Sequence, residues 1–130
     1  GLRPSPEHRF ACALDRLCPQ GLLGLAISGG PDSLALLVLA AAARAGQVEA
    51  ATVDHGLRPE SAAEAAMVAA LCARMGVKHS IFPVTVAVGA SSQRQAREAR
   101  YEALGGWAGQ RGLCAIATAH HADDQAETLL

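Results

Sequence analysis

The sequence has few aromatic residues, only two Phe, one Tyr and one Trp among 130, although 51% of it is hydrophobic. Any core is therefore built mainly from Ala, Leu and Val, a composition that favours helices over a β-sandwich. It also lacks a charge field of one sign: the formal charge is -1 and acids and bases are interspersed. That excludes the basic patch that draws polyanions nonspecifically, so any large RNA surface is expected outside this segment. No apolar run is long enough to cross a bilayer, since the stretch from Leu34 to Ala43 is short and is followed by Arg44. The first residues lack a signal-peptide pattern. Finally, Cys12, Cys18, Cys72 and Cys114 form no C-x-x-C pair and match no zinc or iron–sulfur spacing. They read as four reduced thiols filling small apolar spaces in a cytoplasmic protein with no membrane partner.

What is present is an alternation of short apolar runs and amphipathic stretches. The periodicity predicts an opening helix from Ser5 to about Cys18, then a strand over Leu22 to Ile27 and a helix over Leu34 to Ala45 closed by Gly46. A second strand, Val48 to Val53, leads to an Ala-rich helix from Ser61 to Met75 ended by Gly76. A third strand, Val77 to Val88, precedes a helix from Gln93 to Arg111 that Gly105 and Gly106 should weaken. The fourth strand, Leu113 to Thr118, runs into a last helix beginning near Ala122. Such βαβ units imply an α/β fold, a parallel sheet with helices on both faces. Ligands of these sheets sit at the carboxyl edge, where three of the polar motifs fall.

The first motif is Ser28-Gly29-Gly30-Pro31-Asp32-Ser33, between strand and helix. Gly29 and Gly30 remove Cβ atoms where backbone N–H groups must close around phosphate oxygens, and the helix N-terminus behind them adds a favourable dipole. Ser28 and Ser33 add hydroxyls. It is not a Walker A loop, because no G-K-[ST] follows the glycines. Asp32 in the first helical turn would repel a phosphate unless a cation bridged the two, which implies magnesium bound with the nucleotide. The plain alternative is a tight turn with Pro31 opening the helix. This loop resembles the SGG-x-DS loop of the PP-loop ATPases, and the resemblance implies a Rossmann-like adenine nucleotide alpha hydrolase fold, ATP binding and cleavage next to the α-phosphate.

Three further segments extend the resemblance. In Asp54-His55-Gly56-Leu57-Arg58, Arg58 could clamp a phosphate with its fork of donors and His55 could orient a base or phosphate, while a loop capped by Asp54 is the plainer reading. Val53 to Arg58 resembles the VDHGLR segment of the lysidine synthetases, which places His55 and Arg58 near the nucleotide. On the helix from Gln93, Arg97, Tyr101 and Leu104 share a face and Arg100 leans toward Leu104 and Trp107. Arginines on a helix usually form a solvated face. This stretch resembles the family's QxxARxARY pattern, which implies that Arg97 or Arg100 reaches ATP or the acceptor, and Arg97 is taken as the catalytic candidate.

The last segment is His120-His121-Ala122-Asp123-Asp124-Gln125-Ala126-Glu127-Thr128. On a helix its acids would cluster at one end, able to hold a cationic substrate, to complement the helix dipole or to bind a metal, although H-H-x-D-D is no defined zinc spacing. It resembles the HHxDDQAET signature of the lysidine synthetases, which implies that Asp124 and Glu127 bind the amine of lysine, with Asp124 also catalytic.

The four matches run in order from Ser28 to Thr128. The resemblance implies a ligase that adenylates the wobble cytidine of a tRNA(Ile) with a CAU anticodon and then joins free L-lysine to its C2, using ATP and Mg2+. On this reading residues 1–130 are the N-terminal part of a PP-loop ATP-binding domain whose remaining domains lie outside the chain, and a homodimer is an open option. A PP-loop tRNA thiolation enzyme and a noncatalytic nucleotide-binding module are the alternatives. The former usually needs cysteines at the site, and the latter leaves Asp32 and the late acids without a task.

Overall fold

The computed structural model describes residues 16, 18–54, 56, 59–85, 92–119 and 126–128. Its elements are β1 (Leu22–Ala26), α1 (Pro31–Ala43), β2 (Val48–Asp54), α2 (Ser61–Met75), β3 (Lys78–Pro83), α3 (Ser92–Arg111), β4 (Leu113–Ala119) and β5 (Ala126–Thr128). One sheet takes them in the order β3-β2-β1-β4-β5. The first four strands are parallel and β5 runs antiparallel to β4. As the central strand, β1 is covered on both faces and reads Leu-Leu-Gly-Leu-Ala with no polar residue.

Chain direction decides where each helix lies. From β1 to β2 to β3 the chain steps one way across the sheet, so right-handed crossovers place α1 and α2 on the same face. From β3 it returns past β1 to β4, which puts α3 on the opposite face. Two core clusters follow from this. Leu36, Leu37 and Ala40 of α1 and Val68 and Cys72 of α2 pack on Leu23, Leu25, Ile27, Ala50 and Ala117. Leu104, Trp107 and Ala108 of α3 pack on Ala26, Ala51, Leu113 and Ile116. Each fully buried leucine in these layers stabilises the fold by roughly 1.5–3 kcal/mol. On the second face the Trp107 and Phe82 rings lie 6.3 Å apart.

The expected α/β architecture is therefore the one observed, with four differences in detail. Residues 126–128, expected to be helical, form β5, whose backbone pairs with the outer side of β4. A short segment that can satisfy its backbone groups on an open strand edge gains more than an uncapped fragment of helix. The third strand spans Lys78–Pro83, followed by Val84, which donates its N–H to the Asp54 carbonyl at 2.8 Å, while residues 86–88 of the expected strand lie outside the described residues. Conversely, α3 runs unbroken through Gly105 and Gly106. Buried Leu104 and Trp107 anchor it on either side, and such packing outweighs a cost of about 1 kcal/mol per glycine.

The fourth difference concerns the thiols. Cys18 and Cys114 are 96 residues apart in sequence but have Cα atoms 5.7 Å apart and are joined in a disulfide, while Cys72 is free and buried. Parallel pairing of β1 with β4 brings the start of β4 beside the residues that lead into β1, a long-range approach invisible to local spacing. Most of the expected opening helix lies outside the described residues, of which Arg16 is helical. Among the described residues, no helix is long and apolar enough to cross a membrane.

Candidate nucleotide site

Strand order reverses between β1 and β4, so the loops leaving those two strands diverge and open a crevice at their carboxyl ends. A cavity of about 370 Å³ lies there. Its walls come from the ends of β1, β2 and β4, from the first turns of α1 and α2, and from α3. That volume falls within the range of roughly 300–1,000 Å³ typical of small-molecule sites.

The loop after β1 forms the floor. Ser28, Gly29, Gly30, Asp32 and Ser33 all line the cavity, whereas Pro31 does not. The Gly30 N–H donates to Ser28 Oγ at 3.3 Å, and that hydroxyl in turn donates to Ser33 Oγ at 3.1 Å, which folds the loop over the start of α1. Gly30 is the N-cap, in an extended conformation, and brings no side-chain oxygen to the first turn; Pro31 takes the first helical position. Amide donors of a first turn have no acceptor within their own helix, so this end is suited to an anion. A Cβ on Gly29 would sit 3.3 Å from Cβ and Cγ of Glu64 and from Cε of Met67, so glycine here lets α2 pack directly against the loop.

Of the two candidate arginines on α3, the structure brings Arg100 to the cavity, where its Nη2 donates to Thr118 Oγ1 at 3.4 Å. Arg97 is exposed, with its guanidinium 5.8 Å from the centre of the Tyr101 ring, and does not line the cavity. Asp54 Oδ1 accepts the Gly56 N–H at 3.0 Å, the local cap that is the plainer reading of that segment. His55, Arg58, His120, His121, Asp123 and Asp124 lie outside the described residues. Glu127 is on β5, in register with Thr118, so backbone pairing places it beside a cavity-lining residue. The helical clustering expected of Glu127 with Asp123 and Asp124 does not carry into this strand.

Sequence reasoning passed over Thr52, Ser61, Glu64 and Thr118, all of which line the cavity. Thr52 and Thr118 were legible as polar residues near the carboxyl ends of otherwise apolar strands. Ser61 and Glu64 open α2, and Glu64 meets the loop at Gly29, a long-range contact that local pattern does not reveal. Among the described residues, the cavity is lined by the carboxylates of Asp32 and Glu64 and the guanidinium of Arg100. The two carboxylates would repel a polyphosphate, and a cation bound with it would offset them. Among the described residues no three His, Cys, Asp or Glu side chains converge as a metal cage. One carboxylate supplemented by phosphate oxygens and water is the usual way magnesium is held, and Asp32 fits it.

A strand, glycine loop and helix at the switch point of a parallel sheet define a nucleotide-binding α/β domain. Residues 6–130 match the PP-loop domain model, and the chain belongs to the PP-loop domain family. It is 52% identical over 122 residues to the tRNA(Ile)-lysidine synthase of Novosphingobium aromaticivorans, covering 94% of this chain and 37% of that protein. It is 52% identical over 111 residues to the tRNA(Ile)-lysidine synthase of Zymomonas mobilis, covering 85% and 33%. The chain thus spans about a third of the length of these relatives. Among solved structures, the U34-tRNA thiolase of Methanococcus maripaludis superposes with a TM-score of 0.71 at 15% identity, covering 89% of this chain and 45% of that one. At that identity the likeness bears on the fold alone.

Proposed function

We propose that the protein to which this chain belongs is a cytoplasmic ligase that joins lysine to the wobble cytidine of a tRNA(Ile) with a CAU anticodon. The observation that carries this reading is the SGGPDS loop and its cavity at the sheet's switch point, in a chain 52% identical to proteins named for that reaction. In the first step the C2 oxygen of the cytidine attacks the α-phosphate of ATP and pyrophosphate leaves. In the second the ε-amine of lysine attacks C2, AMP leaves with the oxygen, and the amine gives up its proton. Adenylation comes first because an amide-like oxygen is a poor leaving group until it is phosphorylated.

The tasks of this chain are positioning and charge neutralisation. The amides of the loop and of the first turn of α1 cradle the phosphates, with the Ser28 and Ser33 hydroxyls beside them. Asp32 would hold magnesium, which would offset the triphosphate charge. Arg100, fixed by Thr118, is placed to meet charge developing on the transferred phosphoryl group, with Arg97 nearer the surface, where the tRNA approaches. Arg58 and His55 serve the nucleotide, and Asp124 and Glu127 form the acidic pocket for lysine. A sulfur-transfer reading finds no support at the cavity: among the described residues no cysteine lines it.

The test uses the full-length protein with ATP, magnesium, a tRNA(Ile) transcript and radiolabelled lysine. Label should enter the RNA and disappear when the wobble cytidine is replaced. Pyrophosphate release with tRNA but no lysine incorporation would overturn the ligase reading in favour of another nucleophile.

A further inference from the structure

Thr52 has a partner that no phosphate-binding motif requires. It is 8% exposed, lines the cavity, and its Oγ1 lies 2.9 Å from Nε2 of His79 on the edge strand β3. The register pairs His79 with Ala50 and Thr52 with Ile81, so the two side chains meet diagonally across one face of the sheet. A diagonal neighbour is roughly 7–8 Å away along the backbone, and only a long side chain such as imidazole closes that gap. Burial pushes the pKa of His79 below its ordinary value, which favours the neutral ring, and a neutral imidazole has one donor and one acceptor nitrogen.

The position of the pair within the cavity matters. The anion-binding end is set by the Ser28–Ser33 loop at β1, whereas Ala51, Thr52 and Val53 form the wall one strand away, roughly 4.8 Å to the side. A phosphate offers acceptors only, but a nucleoside offers both donors and acceptors, so a wall hydroxyl of fixed polarity can discriminate among nucleosides. Alone, a threonine hydroxyl both donates and accepts. Against Nε2–H it accepts, and its own proton is free for the cavity. Against an unprotonated Nε2 it donates, and a lone pair faces the cavity instead.

We propose that Thr52 contacts the nucleoside part of the bound nucleotide and that His79 is a positioning residue, acting through Thr52 to fix the polarity of that contact. The inference rests on the nucleotide reading of the cavity given above. It predicts coupling between two residues of which only one faces the ligand.

Equilibrium binding of AMP and of magnesium pyrophosphate to the intact protein separates the possibilities without relying on turnover. Thr52→Val, which exchanges the hydroxyl for a methyl of similar size, and His79→Leu should each weaken AMP binding by about 3- to 10-fold, the loss of one hydrogen bond. Pyrophosphate binding should stay unchanged. Thr52→Ser should keep AMP affinity, and the double variant should bind AMP no worse than Thr52→Val alone. Equal weakening of AMP and pyrophosphate would reveal general loosening of the sheet and overturn the pairing, as would additive losses in the double variant. AMP binding unaltered in both single variants overturns the pair and leaves the nucleotide site standing. Failure of the unchanged protein to bind AMP removes both.

Discussion

The two edges of the sheet carry similar residue types but use them in opposite ways. At the amino edge polar groups close on one another. The carboxylate of Glu49, 6% exposed at the start of β2, accepts from Nη2 and Nε of Arg111 at 2.6 and 2.9 Å. Arg44, at the end of α1, donates to the Cys18 carbonyl, and Cys18 is bonded to Cys114. At the carboxyl edge Ser28, Asp32, Ser33, Thr52, Glu64, Arg100 and Thr118 surround a shared space. A polar group enclosed among its partners contributes to stability; groups that line a cavity, even when paired as Ser28 is with Ser33 and Arg100 with Thr118, also present atoms to a ligand.

The largest expected effect strikes the carboxyl edge alone. Asp32→Ala in the intact protein should lower ATP-dependent pyrophosphate release by about 100-fold or more, the scale of removing one preorganised charge-stabilising group. The melting temperature should hardly change, because Asp32 lies at the cavity rather than in either core cluster. Turnover at the normal rate would refute the metal-holding role, and a large drop in melting temperature would erase the contrast between the edges.

Much of this contrast was legible in the sequence, but unevenly. The order of strands and helices follows from hydrophobic periodicity, and the loop at Ser28 to Ser33 from its glycines. Periodicity misjudged residues 126–128, because a three-residue strand exists only by virtue of an open edge on β4. Helix faces could not choose between Arg97 and Arg100, since both project from α3 within one turn; the contact with Thr118 distinguishes them. The amino edge was almost wholly hidden. Glu49 and Arg111 are 62 residues apart, and Cys18 and Cys114 are 96 apart, separations at which no local pattern speaks.

A second variant touches neither edge and so tests whether they are separable. Gly24 is buried in the middle of β1, where a Cβ would fall 2.5 Å from Leu113 Cδ1 and 3.0 Å from Cη2 and Cζ3 of Trp107. The leucine methyl can swing aside, but the indole, 2% exposed, has little room to retreat. Gly24→Ala should therefore destabilise the fold by about 1–3 kcal/mol, the usual cost of overpacking. Denaturant titration gives the loss, and AMP affinity of the protein that remains folded should match the unchanged chain. A parallel fall in affinity would mean that the α3 face of the sheet and the cavity move together.

The smallest effect belongs to the amino edge, and pH isolates it. The Arg111 guanidinium bound to Glu49 holds its carboxyl below the ordinary carboxylate range, against the opposing push of burial. The folded state therefore binds fewer protons than the unfolded chain as pH falls through that range. The stability this pair supplies is fully present above the ordinary glutamate pKa and is lost as pH drops through the lowered one. His79 also has a lowered pKa, from burial, so its contribution has the same sign but begins to fade higher, as pH falls through the ordinary histidine range. Because the Arg111 side chain is 40% exposed, solvent screens the ion pair and Glu49→Gln should cost less than Gly24→Ala. Thermal unfolding followed against pH separates the two groups: the difference between the unchanged chain and Glu49→Gln should be constant near neutrality and vanish on the acid side, with the histidine step common to both. An offset that persists at every pH would mean that Glu49 acts through packing rather than charge, and the amino edge would then be closed by shape alone.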